Sequence, residues 1–160
     1  MEIKAQHHYL KDVETVFRFF SDPAAIKAKY EGVGARNIEV LQTAEQGELF
    51  LVKTRREVPA EVPAMLKKFF GAWNKVTATE RWRREGGGRA CEYDIEVSGP
   101  VQIRGRLHLK PEATGCVNEI AVEVTCGIPL VGKKIVELAA ESTRQGIQGE
   151  YEYIRSHLAP

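Results

Sequence analysis

The sequence predicts an α+β fold in which a curved antiparallel sheet of about seven strands lies against one long C-terminal helix. Two patterns predict it. From residue 35 to residue 126, apolar and polar residues alternate and turn residues interrupt them at regular intervals, which is typical of an antiparallel meander. From Leu130 to Leu158 the pattern becomes that of one uninterrupted helix. With 160 residues, 43% of them hydrophobic, we expect one domain over residues 1–160.

Two short helices are predicted to follow a first strand at residues 2–10. Asp12 carries a side chain that suits the N-cap of a helix, with Thr15 at the third helical position. Ser21-Asp22-Pro23 supplies a cap and a first-turn proline for the second helix. Glycines 32 and 34 are expected to end it. The residues expected to be buried on these helices are Val13, Val16, Phe17, Phe20, Ile26 and Tyr30.

Six further strands are predicted near residues 36–44, 48–58, 73–84, 90–98, 101–110 and 116–126. The last three have one apolar face and one more polar face, which predicts a sheet covered on one side only. Gly105 lies in the middle of its strand and predicts a bulge or a strong bend. The inward face of the strands near 36–44 and 48–58 stays open, because apolar residues occupy both faces.

Small residues line one face of the C-terminal helix. Ala139, Ser142, Gly146 and Gly149 recur at spacings of three and four, so they share a face. Glycine inside a helix costs about 0.5–1 kcal/mol relative to alanine, which indicates that something needs the space. Two interpretations follow: close packing of the helix on the sheet, or a helix that leaves a cavity for a ligand.

The segment at residues 59–72 interrupts the meander with two prolines and a cluster of large apolar residues, Met65, Leu66, Phe69 and Phe70. We expect it either to pack as a hydrophobic plug into the end of the sheet or to act as a lid or portal. Residues 127–132 have a similar composition and could form the other lip of the same opening.

Composition excludes several classes of function. A net charge of +1 with mixed signs along the chain gives no field for nucleic acid. No run approaches the roughly 20 apolar residues of a membrane span, and no signal peptide is visible, so we expect a cytoplasmic protein with no stable membrane insertion.

The three cysteines lack metal-ligand spacing and are expected to be free thiols. We expect no metal and no cofactor; phosphate-, dinucleotide- and zinc-binding motifs are absent. Oligomeric state is left open.

A few polar residues are candidates for chemistry. His7 and His8 are neighbours in a strand and point to opposite faces, so they cannot share a metal. We expect His7 to be a hydrogen-bonded core histidine; the alternative is a polar anchor or acid–base group in a cavity. Glu80 is expected to face solvent, although its parity with Trp82 also allows an inward position. Tyr93 lies on an inward face, where two interpretations stay open: plain packing in the core, or a ring that lines the cavity wall with a hydroxyl that orients a ligand.

The order of elements resembles the START-like, or helix-grip, superfamily of polyketide cyclases, dehydrases and lipid-transport proteins. The resemblance extends over the whole chain and rests on that order, on the segments 12–17 and 21–23 that open the two short helices, and on the long final helix. The run from Ile128 to Lys134, together with Gln148 to Tyr151, resembles a bacterial branch of this superfamily whose members have no assigned function.

The resemblance implies a curved sheet that grips the C-terminal helix, with an apolar cavity between them. Members of the superfamily bind lipids, sterols, plant hormones or polyketides, some catalyse cyclisation or dehydration, and others act as co-chaperones. The superfamily has no shared catalytic motif, so no catalytic residue is carried over and the fold implies a cavity without fixing its chemistry.

The function expected from these observations is binding of an apolar or amphipathic small molecule, such as a lipid, sterol, isoprenoid or polyketide-like compound, between the sheet and the helix. Two alternatives stay open. The first is a cyclase or dehydratase-like enzyme, marked by titratable residues that converge in the cavity, and the second is a protein-interaction module with a filled core. We expect binding rather than catalysis. The predicted ligand-binding residues are His7, Tyr9, Met65, Phe69, Trp82, Tyr93, Ile95, Leu107, Val122, Leu138, Ser142 and Gly146.

Overall fold

A computed structural model describes residues 1–159, and its architecture confirms the α+β class. Its elements, in chain order, are β1 (Glu2–Tyr9), α1 (Val13–Ser21), α2 (Pro23–Gly32), β2 (Arg36–Gln46), β3 (Leu49–Pro59), a 3₁₀ helix (Ala64–Phe69), β4 (Trp73–Glu85), β5 (Gly88–Val97), β6 (Val101–Glu112), β7 (Gly115–Cys126) and α3 (Gly132–His157). Over this part of the chain no helix combines the length and the apolar content that crossing a bilayer requires.

The seven strands form one antiparallel sheet in the order β1-β7-β6-β5-β4-β3-β2. The first strand therefore lies beside the last, β2 to β7 follow one another as neighbours in chain order, and β1 and β2 are the two edge strands. Register shifts occur in β2, between residues 36 and 39 and between residues 40 and 42. Such irregularities increase the local twist of a sheet. The sheet carries α1, α2 and α3 on the same side as its buried residues.

The caps of both short helices are confirmed. The Asp12 carboxylate accepts a hydrogen bond from the Thr15 amide at 2.8 Å, and the Asp22 carboxylate accepts one from the Ala25 amide at 3.0 Å. Each cap satisfies an amide that the helix leaves without a partner and is worth about 1 kcal/mol. All six residues that the helical pattern marks as buried are buried. The short helices are thus fixed against the sheet by the faces that the sequence indicates.

Two groups of buried residues form the core. The first joins α1 and α2 to the sheet and centres on Trp82, whose ring contacts Phe17 and Phe20 with centroids 5.0 and 5.5 Å away. The second joins β6, β7 and the N-terminal half of α3 through Val122, Ile135 and their neighbours. Tyr93 and Leu107 on adjacent strands pack against both groups.

The segment at residues 59–72 contains the 3₁₀ helix, and its apolar residues differ in environment. Leu66 is fully buried in the second core group, where Phe69 and Phe70 pack partly buried beside it. Met65 points away and is 68% exposed. Leu66 therefore behaves as the plug interpretation expects, whereas Met65 leaves an apolar side chain at the surface.

The inner face of β3 is settled by the structure. Val52 and Thr54 are buried and Phe50 packs against the first core group, whereas Leu49 is exposed on the other side. In β2, Ile38 and Val40 pack inward and Leu41 is exposed. The sequence pattern could not choose between the faces because this end of the sheet exposes apolar residues on its outer side.

Of the bulge or strong bend that the position of Gly105 predicts, the bulge does not form. Its register with Tyr93 on β5 and Val122 on β7 runs without interruption. A Cβ atom at this position would lie 2.2 Å from the Tyr93 ring, which is far inside van der Waals contact. Gly105 therefore makes room for Tyr93, which stands over the glycine on the inner face of the sheet.

Replacing Gly105 with alanine is expected to lower the free energy of unfolding by about 1–3 kcal/mol, because the added methyl group must displace the Tyr93 ring from a packed core. Urea denaturation measures the effect. In a Tyr93→Ala background the same Gly105→Ala change should cost little, since the clash is gone. Equal losses in the two backgrounds would show that the glycine serves another purpose.

Candidate functional site

A pocket of about 1190 Å³ lies between the inner face of the sheet and α3. Strands β3 to β7 contribute mostly apolar side chains to its wall, and α3 contributes the face that carries the small residues. Pockets that hold drug-sized ligands measure roughly 300–1,000 Å³. The volume is therefore sufficient for a lipid-sized or polycyclic molecule.

The small-residue face of α3 borders this pocket along its length: Ala139, Ser142, Gly146 and Gly149 all line it. A Cβ atom on Gly146 would meet no other atom within 4 Å, whereas one on Gly149 would contact the Val33 side chain at 3.6 Å. Both interpretations of the glycines therefore hold, each at a different position. Gly149 permits close packing against the end of α2, and Gly146 faces open space.

Eight of the twelve predicted ligand-binding residues line the pocket. They are His7, Tyr9, Tyr93, Ile95, Leu107, Leu138, Ser142 and Gly146. These residues come from β1, β5, β6 and α3, which are far apart in the sequence. The structure thus brings together one set of side chains that surrounds a single volume, and their role in binding stays a prediction.

The other four predicted residues do not line the pocket. Met65 is exposed on the 3₁₀ helix, and Phe69 packs against the core beside Leu66. Trp82 has the predicted inward parity, but α1 covers it completely through Phe17 and Phe20. Val122 also faces inward and is buried in the core group that Ile135 of α3 completes. These two were misplaced because parity defines a face and does not define what covers it.

A buried ion pair lies at one wall of the pocket. Lys29 on α2 is 2% exposed, and its Nζ atom lies 3.0 Å from Oε1 of Glu150 on α3, a side chain that is 28% exposed. The same Nζ lies 4.2 Å from the centroid of the Phe20 ring. Burial is the largest single effect and opposes the charge of Lys29, but the Glu150 carboxylate, together with smaller contributions from Tyr30 and Glu80, outweighs it and raises the pKa of Lys29. The lysine is therefore a cation inside the protein.

Glu80 is buried on the pocket side of β4, so the expectation that it faces solvent is wrong. It lies between Val52 on β3 and Tyr93 on β5 in the register of the sheet, and its carboxyl accepts a hydrogen bond from Nε1 of Trp82 at 2.9 Å. Burial raises the pKa of Glu80, although Lys29 and the Trp82 hydrogen bond act in the opposite direction. Its parity with the fully buried Trp82 was the sequence signal for the inward position.

The raised pKa of Glu80 has a consequence for stability. A carboxyl whose folded-state pKa lies above its ordinary value of 4.5 contributes stability below that value, and this stability is lost as pH rises through the folded-state pKa. Glu80→Gln is therefore expected to match the wild type near pH 4 and to become increasingly more stable above it. Urea denaturation at several pH values measures this difference. Glu96→Gln on the outer face of β5 is the control and should show no such trend; parallel curves for Glu80→Gln would contradict the assignment.

His7 lies on the pocket wall without the hydrogen bond expected of a core histidine. Its ring stacks on that of Tyr151 with centroids 4.2 Å apart, and it has no hydrogen-bond partner within residues 1–159. Burial lowers the pKa of His7, with a smaller opposing effect from Glu150. His8 points outward, and its Nδ1 lies 3.0 Å from Oε2 of Glu112. His7 therefore faces the pocket and His8 faces the outer side of the sheet, because neighbours in a strand point to opposite faces.

The polar pocket residues that sequence reasoning missed include Lys29, Arg56, Asn74, Asn118 and Glu150. Two of them carried a usable signal. Lys29 lies three residues after Ile26 and one before Tyr30, which places it on the buried side of α2. Glu150 lies four residues after Gly146 and so shares the small-residue face of α3. Arg56 and Asn118 sit in strands whose pattern gave no such indication.

Comparisons with known proteins agree with this architecture. Residues 4–158 match the model of a family described as "Protein of unknown function (DUF2505)". None of the curated proteins compared with the chain matches it. The match extends over nearly the whole chain, so the family assignment does not depend on a local motif.

Solved structures with the same fold are distant in sequence. A START superfamily protein from Mycobacterium smegmatis is 11% identical with a TM-score of 0.64, over 98% of this chain and 99% of that one. The Zhui aromatase/cyclase from Streptomyces sp. R1128 is 12% identical with a TM-score of 0.65, over 98% of this chain and 90% of that one. Norcoclaurine synthase from Thalictrum flavum, solved with dopamine and hydroxybenzaldehyde, is 15% identical with a TM-score of 0.59, over 100% of this chain and 89% of that one. The chain therefore has the START-like helix-grip fold and belongs to the DUF2505 family.

Proposed function

We propose that this protein binds an amphipathic small molecule in the pocket between the sheet and α3. The observation that carries the proposal is the pocket itself, about 1190 Å³ of space lined mainly by apolar side chains. Burying the apolar part of a ligand there would stabilise the complex by roughly 25 cal/mol per Å² of apolar surface. A lipid, sterol, isoprenoid or polyketide-like compound fits this description.

The polar groups on the wall indicate that the ligand is amphipathic rather than purely apolar. Lys29, Glu80, Arg56, His7 and Asn118 all line the pocket. Asn118 is 2% exposed and its Oδ1 atom has no partner in the described chain. A buried amide without a partner costs about 1–3 kcal/mol, and a hydrogen-bonding group on a ligand would recover this loss.

Native mass spectrometry tests the proposal. The purified protein is measured alone and after addition of medium-chain amphiphiles and of substituted naphthols as models of polycyclic compounds. We expect one-to-one complexes with members of at least one set, and organic extraction would identify any molecule carried through purification. A protein that stays free with every compound, and that shows no heat of binding in calorimetry, would overturn the proposal.

Acid–base catalysis in the same pocket is a second candidate, supported by titratable groups that converge there. The Lys29–Glu150 pair and Glu80 share one wall, and electrostatic coupling links Glu80 to both members of the pair. A carboxyl whose pKa is raised by burial, in the same pocket as a second carboxylate, can serve dehydration, because one group donates a proton to the departing hydroxyl while the other accepts one from carbon. Release of water from a β-hydroxy thioester, followed by ultraviolet absorbance, tests this; rates unchanged by Glu80→Gln would exclude it.

The pocket disfavours the third hypothesis, a protein-interaction module, because that hypothesis expects a filled core.

We also propose a cytoplasmic location. All three cysteines are free in the structure, and two of them, Cys91 and Cys116, are buried. Unpaired buried thiols are typical of proteins from a reducing compartment.

A further inference from the structure

Arg56 is a pocket residue whose guanidinium has no polar partner. It lies on the inner side of β3, two residues beyond the buried Thr54, and lines the pocket. Its Cζ atom lies 4.0 Å from the centroid of the Tyr30 ring, on which it stacks. Within residues 1–159 it forms no hydrogen bond and no ion pair, and its Nη1 atom is shielded from solvent.

Two more unpaired polar atoms lie on the same part of the sheet. Oγ1 of Thr54 and Oδ1 of Asn74 are both buried without a partner. In the antiparallel register Arg56 is opposite Val76, and Asn74 lies two residues before Val76 in β4, so Asn74 is a diagonal neighbour of the arginine. Three unsatisfied atoms on two adjacent strands are unusual, because buried polar groups in proteins are nearly always hydrogen-bonded.

No carboxylate of residues 1–159 forms an ion pair with Arg56. Lys29 is neutralised by Glu150 at 3.0 Å. Glu80 on β4 interacts electrostatically with Arg56, but no hydrogen bond or ion pair joins the two side chains, and Oε1 of Glu80 accepts from Trp82. The remaining charged residues on the pocket wall, Glu61, Glu141, Glu152, Arg155 and His157, are exposed. Arg56 is half-buried, and a cation that is partly shielded from water without an ion-pair partner is costly, which indicates that an anion completes this wall.

We propose that the ligand of this pocket carries a carboxylate, or an equally planar anionic group, and that Arg56 binds it. The inference rests on the proposed function and names the chemistry of the ligand's polar end. A guanidinium can donate two parallel hydrogen bonds to a carboxylate, and stacking on Tyr30 fixes its plane in advance. The amide of Asn74 lies beside this point, and the apolar wall formed by Ile95, Ile103 and Leu107 receives the rest of the molecule.

Three probes that differ only in the headgroup test the proposal: decanoate, decanol and decylammonium. Isothermal titration calorimetry should show that the wild type binds decanoate at least about tenfold more tightly than decanol, which is the scale expected of a charge-assisted hydrogen-bonded pair. Decylammonium should bind more weakly than either. Arg56→Gln should abolish the preference for decanoate and leave the affinity for decanol unchanged. Arg56→Lys keeps the charge without the paired donors and should retain part of the preference.

The matched control is Arg55→Gln. Arg55 is the adjacent residue, points to the outer face, and pairs with Glu39 at 3.0 Å, so its loss should alter neither affinity. Equal binding of decanoate and decanol by the wild type, or equal loss of both in Arg56→Gln, would overturn the carboxylate proposal while the binding function stands. Failure of the wild type to bind any probe would instead contradict the binding function. If Arg56→Gln does not fold, unchanged decanoate affinity in Arg56→Lys overturns the proposal.

Discussion

Replacing Glu150 with glutamine will lower the free energy of unfolding by about 3 kcal/mol. The substitution keeps the size of the side chain but removes the carboxylate that lies 3.0 Å from Nζ of Lys29. Lys29 is almost completely buried, so its ammonium group would be left without a counter-charge, and breaking a buried pair from one side costs about 3–5 kcal/mol. Urea or guanidinium denaturation, followed by circular dichroism, measures the loss.

The reverse substitution should be milder. Lys29→Met removes the buried charge and leaves Glu150, whose side chain is 28% exposed and can be hydrated. We therefore expect Lys29→Met to cost less than Glu150→Gln, and the double variant Lys29→Met/Glu150→Gln to recover most of the loss. Glu152→Gln on an exposed position of the same helix is the control and should change stability by less than about 0.5 kcal/mol. Additive losses in the double variant would contradict a direct pair.

Replacing Gly146 with phenylalanine will weaken ligand binding by at least about tenfold, which corresponds to about 1.4 kcal/mol, without a comparable loss of stability. The added ring projects into the pocket, where no atom lies within 4 Å of the position that a Cβ would take. Glycine is also a poorer helix former than phenylalanine, so the helix itself does not oppose the change. Titration with dansyl-undecanoate, whose emission rises in an apolar site, measures the binding.

Gln148→Phe is the matched control for this substitution. Gln148 is exposed on the same helix and does not line the pocket. The same ring at this position should leave the affinity for dansyl-undecanoate unchanged. Binding that is equally strong in Gly146→Phe and Gln148→Phe would place the probe outside the pocket, and equal weakening by both would point to a general effect of aromatic substitution on α3.

The fold could be predicted from the sequence because local signals determine it. Asp12 and Asp22 cap their helices as expected, and the turn residues between the apolar segments mark the positions of the strands. Gly105 shows where such signals stop. Glycine within a strand often indicates a bulge, but Gly105 instead makes room for the Tyr93 ring of β5. Which side chain lies over the glycine depends on the register between the strands, and the sequence alone does not give that register.

The site could be predicted only in part. Alternation in the sequence shows which face of the sheet a side chain occupies, but it does not show which other element covers that side chain. Alternation indicates that Trp82, Val122 and Tyr93 face inward, yet only Tyr93 borders the pocket. α1 covers the first and the N-terminal half of α3 covers the second, and no local pattern reveals this. The pairing of Lys29 with Glu150 joins residues near opposite ends of the chain. Such long-range electrostatic contacts exist only once the fold is known.

Photolabelling with a fatty acid that carries a diazirine near the end of its chain tests the central claim most directly. One equivalent of the probe is activated on the wild-type protein, and the modified peptides are mapped by mass spectrometry. We expect adducts on pocket residues of β5, β6 and α3, such as Tyr93, Leu107 and Leu138, and their loss in Gly146→Phe. Adducts confined to the exposed apolar residues Met65 and Leu130, or no adducts, would contradict binding inside the pocket.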